Sequence, residues 1–150
     1  MALSQSTVLT SIRTLIAAVT GVERVFCAAS SDEHALPSAM NEFPSIAVIP
    51  GETVEYILRS GQHRHSYDVK ALVFCNAGGD VGQTAAQAVP LVDAIIEKFA
   101  VNVGGSWANS CVFERCSGLV TLEYAGIDYL GWEITLRVSE QADATPAKGA

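Results

Sequence analysis

The chain has 150 residues, 49% of them apolar and 17% charged, with a formal net charge of −7 at pH 7. That length fits one domain, and the composition is too apolar for an intrinsically disordered chain. An acidic chain with no run of Lys or Arg lacks the electrostatic footprint of a tight nucleic-acid binder, and no apolar run reaches the ~20 residues of a membrane helix.

Met1 to Ser6 shows no basic segment leading into an apolar run and a cleavage site, so the expected compartment is the cytoplasm or a particle assembled there. The low charge fraction has two readings. The core is large, or other subunits cover part of the surface, since obligate interfaces are more apolar than free surface.

The first expected element is a helix from about Ser4 to Thr20. Val8, Leu9, Ile12, Leu15, Ile16 and Val19 form one stripe at helical spacing. Ser4 or Ser6 suits the N-cap, and Gly21 the left-handed stop. Val22 to Ala28 reads as a short strand. Ala29 to Phe43 is broken by Ser30, Ser31, Asp32, Pro37, Ser38 and Asn41. It is long for a connection and is expected to pack against the body or to serve as a mobile arm.

Ser45 to Ile49 is an apolar, β-branched run suited to a central strand, with Pro50-Gly51 read as a turn. Thr53 to Arg59 alternates, Ser60-Gly61-Gln62 reads as a hairpin turn, and His63 to Cys75 is the return strand. The return strand begins polar, so the hairpin tip is expected to project beyond the core. It ends in Ala71-Leu72-Val73-Phe74-Cys75, apolar on both faces and therefore central.

Asp80 and Gln83 have the spacing of a capping box for a second helix reaching about Ala100, with Val81, Ala85, Ala88, Val92, Ile95, Ile96 and Phe99 on its apolar stripe. Pro90 inside it predicts a kink or a restart. After a Gly-rich loop holding Trp107, a last hairpin runs from Val112 to Val138, with Trp132, Ile134, Leu136 and Val138 on its buried face. Residues from Ser139 onward are small and polar and read as a frayed tail.

The elements define an α+β fold in two layers: a mostly antiparallel sheet with two main helices packed on it, in the order α-β-β-β-β-α-β-β. One domain is expected over residues 1–140, with a flexible tail at 141–150.

The residues carry little visible chemistry. Cys27, Cys75, Cys111 and Cys116 form no Cys-x-x-Cys pair. An unbroken strand would put Cys111 and Cys116 on opposite faces, so small buried hydrophobes are the reading. His63 and His65 share a strand face and make the best metal candidate. Asp68 falls on the other face, and two imidazoles fall short of the three or four ligands a metal site wants.

No Gly-x-Ser-x-Gly elbow or phosphate-binding Gly motif is present, and Ala77-Gly78-Gly79-Asp80 reads as a helix start. No cofactor, metal or catalytic residue is expected. Trp132 reads as core, whereas Trp107 reads either as a partner anchor or as packing over a sheet edge.

Several stretches together resemble the tail terminator, or tail completion, proteins of long-tailed bacteriophages. They are the first helix, Phe43 to Gly51, the long hairpin ending in Tyr67 to Val73, the second helix and Tyr124 to Leu136. The likeness spans nearly the whole chain to Glu140 and rests on pattern and element order.

The resemblance implies a structural virion protein of the tail or neck, assembled in the host cytoplasm. Such proteins form a ring, usually a hexamer, on the head-proximal end of the tail tube, end tube growth and meet the head connector. DNA passes through the lumen, and an acidic, lysine-poor wall would let it slide. The implied partners are other copies of the chain, the tail tube protein and the head connector or neck protein, with no membrane.

Candidate subunit or partner contacts are Arg59, His63, Arg64, His65, Met40, Phe43 and Trp107. The alternatives are another neck or tail-tube component, or an enzyme acting on a small ligand through His63, His65 or a cysteine.

Overall fold

The computed structural model of the protein describes residues 3–40, 42–59, 61–76, 81–101, 103 and 107–142. Helix α1 covers Gln5–Ala17, capped by Ser4, whose hydroxyl accepts the Thr7 N–H at 3.3 Å. Val8, Leu9, Ile12 and Ile16 are its buried stripe. Gly21 takes φ +100°, where a side chain would be strained.

Strands β1 (Arg24–Cys27), β2 (Ser45–Arg59) and β3 (Gln62–Asn76) follow, then helix α2 (Val81–Lys98) and strands β4 (Ser110–Cys116), β5 (Val120–Tyr124) and β6 (Ile127–Ala142). The sheet order is β1-β2-β3-β6-β4, with β5 also pairing to β6. β1 and β2 are parallel and the other pairings are antiparallel.

The expected fold class holds: two helices and a mostly antiparallel open sheet. The expected order also holds when the two arms of β2 are counted on either side of its irregularity, and β4 with β5 as one interrupted run.

Two boundaries differ from expectation for one physical reason. Pro50-Gly51 is a kink inside β2 and not a turn, and the register with β3 shifts between Pro50 and Thr53 and again between Thr53 and Glu55. Pro lacks a ladder donor and is tolerated at such irregularities. A Cβ on Gly51 would lie 3.0 Å from both the Cβ and the carbonyl oxygen of Asp68, so the strand passes β3 too closely for a larger residue.

β4 carries a register shift of its own, between Phe113 and Arg115. It moves Cys116 onto the face of Cys111, which corrects the opposite-face expectation. Their partners on β6 are Ile134 and Val138, four residues apart, so the two sulfurs stay roughly 13 Å distant along the strand. Among the described residues, none of the four cysteines is joined in a disulfide.

α1, α2 and one face of the sheet enclose the main core. Ile12, Ile16, Ile95 and Phe99 meet Ile46, Val69, Val73, Ile134 and Leu136 there. α2 continues through Pro90 as a single helix, so no restart occurs. The Asp80–Gln83 capping box lies outside the residues whose side chains are described.

A second, smaller core sits on the other face, where Phe26, Met40, Ala47, Phe74 and Tyr129 cluster. It fixes the long connection to the body. Met40 donates its N–H to the Tyr129 hydroxyl at 3.0 Å, and the Tyr124 hydroxyl donates to the Pro37 carbonyl. Arg13 donates to the Val25 carbonyl at 3.1 Å and contacts His34 Nδ1 at 2.9 Å. Of the two readings for this connection, packing against the body is the one found.

β6 runs on to Ala142, past Ser139, where small polar residues suggested that a tail begins. Residues 143–150 lie outside the described part of the chain.

Candidate functional site: the open edge of the β2–β3 hairpin

Open strand edges attract further strands, and the outer sides of β1 and β4 are occupied here. The outer side of β1 receives a bond from Cys27 N–H to the His34 carbonyl at 2.8 Å. The outer side of β4 is met by residues 99–103, through Phe113 N–H to the Phe99 carbonyl at 2.9 Å and Val103 N–H to the Cys111 carbonyl at 3.2 Å. β2 is paired on its outer side only through Val48, and beyond it no described strand follows that edge to Arg59.

That unpaired stretch is also apolar. Val54, Tyr56 and Leu58, in the outer half of one strand, are 54%, 55% and 64% exposed. Tyr56 and Leu58 oppose His65 and His63 on β3, which in turn oppose Glu140 and Ala142 on β6. The hairpin is therefore the end of a three-stranded extension, with β2 outermost. The bulges at Pro50–Glu55 separate this extension from the buried strand that feeds it.

A buried polar chain anchors the base of the extension. The His65 ring lies between Tyr56 and Tyr67, with centroids 4.2 Å from each. Its Nε2 pairs with the Thr53 hydroxyl at 3.1 Å. The Tyr67 hydroxyl donates to Glu140 Oε2 at 2.8 Å, and Glu140 Oε1 accepts the Ser4 N–H at 2.7 Å.

Glu140 thus ties the start of α1 to the sheet and has its lone pairs answered, as a fully buried carboxylate requires. Burial holds the His65 imidazole below its usual range, opposed in part by the nearby Glu140 carboxylate. Burial, and then the bond to Glu140, push the Tyr67 phenol far up.

Opposite this chain, the other sheet face is charged. Asp68 accepts from Arg137 Nε at 2.9 Å, Arg137 Nη2 donates to Glu114 at 2.8 Å, and Lys70 meets Glu133 at 3.2 Å. Asp68 therefore lies away from His63 and His65, as strand parity requires.

The contact candidates from sequence fall into two groups. Arg59, His63 and Arg64 lie together at the hairpin tip, with Arg64 3.6 Å from Glu55. The others are engaged within the chain. His65 is buried in the aromatic stack and Met40 in the smaller core. Phe43 is half-buried, its ring 5.9 Å from that of Tyr129. Trp107 is half-buried against the main core.

Glu140 and Tyr67 escaped sequence reasoning, although the signal was present: Glu140 continues the parity of Trp132, Ile134, Leu136 and Val138.

Among the described residues, chemical groups do not converge elsewhere. A cleft of about 460 Å³ is lined by Phe43, Pro44, Cys75, Ala88 and Leu91 among others, and its thiol is pushed up to about 11 by burial. Cys111, in the main core, is pushed up to about 12 for the same reason. A thiol at such values is protonated at neutral pH and a poor nucleophile. Among the described residues, no three His, Cys, Asp or Glu side chains are placed to share a metal ion. No described helix is long and apolar enough to cross a membrane.

No protein-family model matches the chain, and no curated protein matches it. Among solved structures it is similar to a chain of the "Virion of native gene transfer agent (GTA) particle", at 16% identity and a TM-score of 0.36, over 85% of this chain and 84% of that one.

Proposed function

We propose that the protein is a structural virion component that assembles into a ring through its β2–β3 extension, and that the ring closes the head-proximal end of a phage tail. The observation that carries the proposal is the outer edge of β2. It combines backbone groups that no described strand pairs with exposed Val54, Tyr56 and Leu58, while the outer sides of β1 and β4 are occupied within the chain. A second strand laid on this edge satisfies the backbone and covers the apolar side chains together.

The residue-level resemblance to tail terminators directs the reading to the tail, with the tail tube protein and the head connector as neighbours. The net charge of −7 suits a wall past which DNA slides without being held. Catalysis by His65 finds no support, because its ring is enclosed by Tyr56, Tyr67 and Thr53.

Negative-stain imaging of the purified protein is the test. Closed rings with a central hole are expected, and a species that stays monomeric at all concentrations contradicts the proposal. The position of the ring in a virion map then separates a terminator from another neck or tube component.

A further inference from the structure

The two ends of the sheet carry complementary surfaces. At the hairpin tip, Leu58 and Tyr56 lie exposed beside Arg59, His63 and Arg64. Arg64 is satisfied by Glu55, whereas Arg59 forms no ion pair with any described residue.

At the other end, the β5–β6 hairpin turns at Ala125-Gly126 and exposes Val120 and Ile127, 38% and 43% accessible. Glu123 stands directly opposite Asp128 there, both exposed and neither ion-paired among the described residues. Like charges facing one another across a strand pair are destabilising. The isolated chain bears that cost without a described cation to offset it.

The register fixes how far apart these surfaces are. His63 of β3 pairs with Ala142, and Asn76 pairs with Leu130, so the tip and the acidic hairpin lie beyond opposite ends of β3. A strand of that length spans on the order of 45 Å. A tip cannot reach its own acidic hairpin. A contact between two different patches is heterologous: it propagates in one direction and closes only as a ring.

We propose that the β2–β3 tip of one copy docks on the β5–β6 hairpin of the next, with Arg59 against Glu123 and Asp128, and Leu58 covering Ile127. This rests on the ring reading above and adds the partner surface and the direction of the contact.

The test uses three variants of the full chain, followed by light scattering: Arg59→Glu, the pair Glu123→Lys/Asp128→Lys, and all three together. The first two are expected to weaken assembly at least tenfold, each moving the mass toward the 15.8 kDa monomer. The combined variant, and an equimolar mixture of the first two, restore assembly because every contact again joins opposite charges.

All three positions are exposed, so unchanged melting of the dissociated variants serves as the folding control. With the unmodified protein, salt near 1 M, where the Debye length is about 3 Å, weakens assembly. Assembly that survives Glu123→Lys/Asp128→Lys overturns this contact and leaves the ring reading standing. Dissociation without rescue in the combined variant also overturns it. A wild-type chain that never assembles removes both.

Discussion

The two halves of β3 are one strand in two environments. From Val69 to Phe74 it lies between β2 and β6 with helices above Val69, Ala71 and Val73 and the smaller core beneath Phe74. From Gln62 to Ser66 it keeps the same neighbours, but its partner residues on β2 are largely exposed. Pairing with β6 is continuous from His63 to Phe74, so the contrast is one of packing. The inner half is stabilised by the chain itself. The outer half leaves apolar surface for another chain to cover, and the irregularity at Pro50–Glu55 marks the division.

The sharpest way to break the inner half is Gly131→Ala. A Cβ there would overlap the Val73 carbonyl on the neighbouring strand, a clash with backbone that no rotamer relieves. Destabilisation of about 3 kcal/mol or more is expected in urea unfolding, at the high end for a point change.

At the base of the extension, Tyr67→Phe leaves Glu140 with one buried oxygen unanswered. The expected cost is about 1–3 kcal/mol by the same measurement.

The third test is pH. The folded His65 imidazole sits below its unfolded value of 6.5 because burial disfavours its charged form. Its contribution is fully present above pH 6.5 and is lost as pH falls through the folded value. The groups facing it are Glu140, Tyr56, Tyr67, Thr53 and His63. Melting temperatures taken downward from pH 7.5 should therefore fall more steeply for the wild type than for His65→Gln. Equal slopes would mean that His65 is as well solvated folded as unfolded.

The smallest expected effect on the single chain comes from Val54→Ser with Leu58→Ser, within about 0.5 kcal/mol on folding stability because both side chains already meet solvent. The same pair is expected to abolish assembly in light scattering. Loss of both stability and assembly would instead place these residues in the fold of the single chain.

Much of the inner half was legible because its signal is periodic. The alternation from Trp132 to Val138 and the doubly apolar Ala71–Cys75 run translate directly into a half-buried and a central strand. The α1 stripe reads the same way.

What escaped is where periodicity is interrupted or completed by another segment. A bulge inserts a residue without a marker in composition, so Pro50-Gly51 resembled a turn and Cys116 was assigned to the wrong face. His65 resembled a solvated tip residue because its enclosure depends on Tyr56 across the strand pair, a register that sequence spacing does not fix. Met40 looked like part of a reaching arm because the tyrosines that hold its connection come some 90 residues later. Of the site itself, the projecting hairpin was visible as a polar tip, but its open edge was not, since occupation of the β1 and β4 edges is a property of the assembled sheet.

Amide hydrogen exchange of the outward-facing N–H groups between Glu52 and Arg59, in concentrated and in dilute protein, tests the role of this edge most directly. Protection that appears on concentration and vanishes on dilution, while β3 amides stay protected in both, is the expected result. Fast exchange along that edge at every concentration would contradict it.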